Sequence, residues 1–139
     1  MRTPYDSLMR LHENAMSEVR VAINVQIEQI VTIEGRERMV ETSIAEAHEY
    51  TTLDAMLDAE MFVVHARAQR ARLAAERAAA ADRLALLRAR ALEAYGALRA
   101  ARHAAELYRS EREKAAGNAE QHMIDDLSAA HRARPLRLS

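Results

Sequence analysis

The sequence predicts an all-α protein: a long antiparallel two-helix coiled coil, a helical hairpin whose second helix is the longer. Three observations carry that expectation. The first is composition: 139 residues hold no Cys, no Trp, 4% aromatics and only three Gly, and both prolines, Pro4 and Pro135, stand near the ends. Such a chain has few places to turn and no bulky side chains to fill a globular core. The second is a hydrophobic seam at alternating spacings of three and four, sustained on both halves of the chain. The third is an opposition of charge between those halves.

The first helix is expected over about residues 4–50, with Pro4 in its first turn, where its missing N–H costs nothing. Its seam runs through Met9, His12, Met16, Val19, Ile23, Gln26, Ile30, Ile33, Glu37, Val40, Ile44 and Ala47. Nine of these twelve positions are apolar, enough for more than five heptads. Gly35 costs about 1 kcal/mol relative to Ala and does not stop so long a helix. His12 and Gln26 are polar seam residues of the kind that set register.

The turn is expected at about 50–53. Thr51 and Thr52 suit an N-cap better than a helix interior, and Asp54 follows in the next first turn. Simple reflection about this turn makes residue i face roughly residue 103 − i, placing Ile44 near Ala59, Ile23 near Ala80 and Met9 near Ala94.

The second helix is expected over about 53–133, followed by a tail at 134–139. Its seam, from Ala80 through Leu84, Leu87, Ala91, Ala94, Leu98, Ala101, Ala105, Tyr108, Arg112, Ala115 and Ala119, is mostly alanine. Small residues allow a close approach, and the branched residues of the first helix fill the space. Reflection leaves about residues 101–133 without a partner, yet an apolar stripe of Ala101, Ala105, Tyr108, Ala115, Ala119, Met123 and Leu127 continues along them. An exposed stripe of this kind marks a partner surface. A break at Gly117 and Asn118, returning a short third helix, is the alternative.

Residues 1–62 carry five Arg against twelve Asp and Glu, a net of −7, whereas residues 63–139 carry fifteen basic against nine acidic side chains, a net of +6. The halves are therefore suited to lie against each other. A nucleic-acid-binding arm fits less well, because acids intersperse the basic residues and aromatics for base stacking are scarce. No apolar run of about 18 residues and no signal-peptide pattern is present, so a soluble, cytoplasmic protein without an integral membrane segment is expected.

No chemistry of catalysis emerges. The isolated glycines form no phosphate loop, and no Ser, His and acid constellation is legible. The six histidines, His12, His48, His65, His103, His122 and His131, contain no pair spaced by three or four, so no helical metal site is expected. Acidic pairs such as Asp125 and Asp126 read as solvated faces rather than a calcium loop. Neither a catalytic residue, nor a metal, nor a cofactor is expected, and the protein reads as a non-enzyme.

Three stretches carry a resemblance: "PYDSLMRLHENAMSEVRVAI", the central "HEYTT", and "ELYRSEREKAAGNAEQHMIDDLSAAHRARP". Together they resemble the family of the flagellar export protein FliJ, most tellingly in Met123 to Arg134. The resemblance implies a cytoplasmic, non-enzymatic component of the bacterial flagellar type III export apparatus, peripherally associated with its membrane-embedded part. Such a protein acts as the central stalk and activator of a hexameric export ATPase and links it to the export gate; export chaperones are further partners. By analogy, Tyr5, Leu8, Tyr108, Met123 and Leu127 fall on the ATPase side, while Tyr50 and Phe62 fall on the gate side. The stalk proteins of virulence type III systems share this architecture, and a free-standing coiled-coil scaffold or chaperone is the alternative from another class.

Overall fold

The computed structural model describes residues 1–49 and 53–133. They form two α-helices, α1 (Asp6–Ala47, 42 residues) and α2 (Leu53–Ala133, 81 residues), and no strand occurs among the described residues. The helices pack against each other, so the chain is an all-α helical hairpin with a longer second helix. The first helix ends at Ala47 and the second begins at Leu53, while the expected turn residues Tyr50, Thr51 and Thr52 lie outside the described residues.

The start of α1 is built by its own sequence. The Thr3 amide donates to Asp6 Oδ2 (3.1 Å), the Thr3 hydroxyl donates to Asp6 Oδ1 (2.6 Å), and the Tyr5 amide donates to Thr3 Oγ1 (3.3 Å). This is a capping box with Thr3 as the cap, Pro4 just inside it and Asp6 as the returning acid. Deeper in α1, Thr32, Thr42 and Ser43 donate to the carbonyls of Glu28, Arg38 and Met39. Their hydroxyls are thereby satisfied within the helix, four residues back.

Contacts divide the chain into two units, Asn14–Tyr95 and a second that joins Met1–Glu13 to the chain from Gly96 onward. The Asn14–Tyr95 unit holds the larger core: Ile33, Val40, Ile44 and Ala47 from α1 against Ala59, Val63, Ala66, Leu73 and Ala80 from α2, with Ile30 packed beside them. Ala80 is fully enclosed, at 0% exposure. The expected seam of α1 holds at every position, since all twelve residues from Met9 to Ala47 are buried or half-buried. Glu37 belongs to that set, and its carboxylate Oε1 lies 3.2 Å from Arg77 Nε. The contact is an ion pair by distance without hydrogen-bond alignment.

The facing is displaced from simple reflection. Close to the turn, Ser43, Glu46 and Ala47 line one depression with Ala55, Asp58, Ala59 and Phe62, near the expected level. Farther along, Glu37 meets Arg77 instead of the level of Ala66, and the Arg83 guanidinium donates to Gln26 Oε1 (3.1 Å), which reflection sets level with Arg77. Side chains in an antiparallel pair lean toward the N-terminus of their own helices, so long ones meet partners displaced toward the other helix's C-terminus. Reflection counts only backbone positions and misses this.

The third-helix alternative is not what forms: α2 runs unbroken through Gly117, no glycine has a positive φ, and a Cβ at Gly117 would meet nothing within 4 Å. Gly117→Ala should therefore stabilise α2 by about 0.5 to 1 kcal/mol through helix propensity alone. Slower amide exchange around position 117 would register it. In the core, Ile33→Asp should cost at least about 3 kcal/mol, because it buries an unpaired carboxylate among Val, Leu and Ala. Glu28→Gln, on the exposed face, should leave the melting temperature nearly unchanged.

Candidate functional site: the two ends of the helices

The second unit begins with the capped start of α1 lying on α2. Leu98, Ala101 and Ala105 are buried there, Ala105 to 1% exposure, and Thr3 is buried with them. Alanines at this contact let the capped turn come close. Two arginines of α2 hold it from the rim: Arg109 reaches the Met1 carbonyl (Nε to O, 3.4 Å) and the Asp6 carboxylate (4.0 Å), and Arg102 lies 3.6 Å from Glu13. These pairs are largely solvated, so they orient more than they stabilise.

The pKa of Asp6 is lowered, first by the hydrogen bond from the Thr3 hydroxyl, then by that from the Thr3 amide; the positive charge of Arg109 adds to it and burial opposes it.

The seam ends at Tyr108. This ring is half-buried, its hydroxyl oxygen accepts from Arg112 Nε (3.1 Å) and Nη2 (2.9 Å), and the guanidinium carbon of Arg112 stands 5.3 Å from the ring centroid. Arg112 thus folds back over Tyr108, combining charge-assisted hydrogen bonds with a cation–π contact. From Ser110 to Ala133 every residue is exposed. Two expectations need correction here. Ala101 and Ala105 are core residues rather than part of an uncovered stripe, and Arg112, Ala115 and Ala119 are exposed rather than seam. The capped start of α1 covers α2 farther than reflection allows, which moves the bare part to 110–133.

Of the residues assigned to the ATPase side, Tyr5, Leu8, Tyr108, Met123 and Leu127 all belong to this unit. Tyr5 and Tyr108 are half-buried, Leu8 is exposed, and Met123 and Leu127 are 64% and 65% exposed. Ile124, half exposed beside Met123, extends the same apolar surface and was not singled out from sequence, because it lies one position off the three-four stepping. Of the expected stripe, Ala115, Ala119, Met123 and Leu127 lie on the bare part, at spacings of four. On the tip side, Phe62 is 48% exposed at the edge of the depression it shares with Ala47 and Ala59. A second shallow depression there includes Met56, Val63 and Val64 with His48, Glu60 and Arg67. The structure does not bring the tip residues and the ATPase-side residues into one unit.

Among the described residues no group of three His, Cys, Asp or Glu side chains could hold a metal ion, and no helix is long and apolar enough to cross a membrane. No protein-family model, curated protein or solved structure matches the chain.

The cap gives a pH test whose sign follows from the lowered pKa of Asp6. Its stabilisation is fully present above the ordinary carboxylate value, about 3.9, and is lost as pH falls through the depressed folded value. Amide protection in the first turns of α1 should therefore drop in acid, below about pH 4. In Asp6→Asn that first-turn acid transition should be absent.

Proposed function

We propose that this protein is a non-enzymatic stalk and escort subunit of a bacterial flagellar type III export apparatus. In this reading, the bare end of α2 enters and activates the hexameric export ATPase, and the tip region around Phe62 contacts the export gate. The observation that carries the reading is the 24-residue run of wholly exposed helix from Ser110 to Ala133, with Met123, Ile124 and Leu127 on it. A helix gains most of its stability in proteins from packing of its apolar face, so this uncovered run gains from being covered. A rotary-type ATPase has need of such a part: a rigid helix, rooted in a coiled coil, that projects into a ring. The resemblance of "MIDDLSAAHRAR", Met123 to Arg134, to the C-terminal pattern of the FliJ family supports the same end.

The test separates stability from function. Deleting residues 110–139 leaves every side chain that is buried among the described residues in place, so the melting transition should barely change, whereas stimulation and ring assembly of the cognate export ATPase, and motility, should be lost. A milder variant replaces Met123 and Leu127 with Ser. It should weaken ATPase binding by about 1.5 to 3 kcal/mol per side chain covered in the complex, with the melting temperature unmoved. Full stimulation by the truncated chain would refute the assignment of the binding end. Absence of stimulation by the intact chain would leave the free-standing scaffold as the better reading.

A further inference from the structure

The seam of the Asn14–Tyr95 unit contains one acid, Glu37, whose side chain is only 15% exposed and pairs with Arg77. Seven residues before Arg77, at the equivalent seam position one heptad nearer the turn, stands Arg70. Arg70 is exposed and holds no ion pair among the described residues. Apart from Gln26 and Glu37, the α1 seam between Val19 and Ala47 is aliphatic, with Ile23, Ile30 and Ile44 at seven-residue spacings around Glu37. A shift of one heptad therefore replaces aliphatic knobs with aliphatic knobs in the same holes.

We propose that α1 has two registers on α2 in this unit, one heptad apart, and that Glu37 is the selector, held by Arg77 in the register seen and by Arg70 in the other. The slide moves α1 toward the turn by about 10 Å, seven residues at 1.5 Å each. The connection between Ala47 and Leu53 has a reach on the order of 20 Å, which does not oppose it.

The direction follows from the heptad position of the cation. Sliding the opposite way carries the Glu37 carboxylate toward the buried Leu84, where the neighbouring cation is Arg83, now bound to Gln26, and no arginine stands at the heptad position itself. Sliding toward the turn carries it to the present place of Ile44, level with Arg70, while Ile30 takes its place beside Arg77. Gln26 sets the bias. It now accepts from Arg83, and the slide would bring it to the place of Ile33, buried, in a depression that also contains Glu76. Its amide there could donate to Glu76, but enclosing it is costlier than enclosing Ile, so the present register prevails.

The same seven-residue rungs recur in the other unit, where Arg102 and Arg109 pair with Glu13 and Asp6, themselves seven apart. There, too, a one-heptad shift offers Asp6 an arginine. A partner that holds α1 more tightly in one register would move the population by its differential affinity.

The test uses the full chain with nitroxide labels on Val21→Cys and Val64→Cys, both well exposed, one on each helix of the unit. The protein has no cysteine of its own to interfere. Pulsed electron spin resonance should show a single distance for the otherwise unchanged chain. Arg77→Ala should add a population about 10 Å shorter, Arg70→Ala should change nothing, and the Arg70→Ala, Arg77→Ala double variant should lose the short population. An unchanged distance in Arg77→Ala would overturn the proposal. So would a short population in the double variant, since Arg70 would then have no part in it. Circular dichroism accompanies each variant: if Arg77→Ala loses its helix instead of shifting, Arg70 does not offer an alternative hold, and the proposal fails.

Discussion

The close approach of a branched seam on α1 to an alanine-rich seam on α2 is the constraint from which the remaining features follow. Alanine contributes little apolar area by itself, so α2 gains stability only by bringing another helix near enough for Ile33, Val40 and Ile44 to cover it. Ala80 and Ala105, the two most completely enclosed of the described residues, lie on α2 in the two separate units, and each unit relies on the same device. With aromatics almost absent, burial rests on aliphatic side chains, the Ile and Val of α1 against the Ala, Leu and Val of α2. The hairpin is thus a consequence of which helix carries bulk and which carries space.

Such packing is smooth, and smoothness leaves register poorly specified. Heptad repeats of similar aliphatic residues fit in several alignments, so the polar seam residues acquire a role out of proportion to their number. Glu37 and Gln26 are each matched to an arginine of α2, and at the capped end Glu13 and Asp6 are matched to two more. Individually these partly solvated contacts are worth little. Their value lies in discrimination between alignments, because a misplaced carboxylate costs far more than a well-placed one contributes. Oppositely charged halves bring the helices together, and a few positions within them decide where they stop.

The proposed stalk role uses the other side of the same economy. A helix continuing as Ser110 to Ala133 beyond the last buried contact keeps an apolar face with no cover in its own unit. Arg112 closing over Tyr108 finishes the seam cleanly, so that the bare part is a separate surface and not a frayed end of the core. Loss of that part should consequently be felt by a partner before it is felt by the fold.

By itself the sequence determined the helical class, the placement of Pro4 at the head of the first helix, and the buried face of α1 at all twelve seam positions. These are local or periodic properties: propensity, proline placement and the three-four spacing are written in consecutive residues and need no knowledge of a partner. What only the tertiary structure decided was how far one helix covers the other. That turned Ala101 and Ala105 into core, left Arg112, Ala115 and Ala119 exposed, carried α2 through Gly117, and matched Glu37 to Arg77. The physical reason is that a heptad pattern repeats every seven residues and is therefore nearly indifferent to a slide by seven. Coverage depends instead on the lean of long side chains and on a handful of polar matches between residues far apart in the chain.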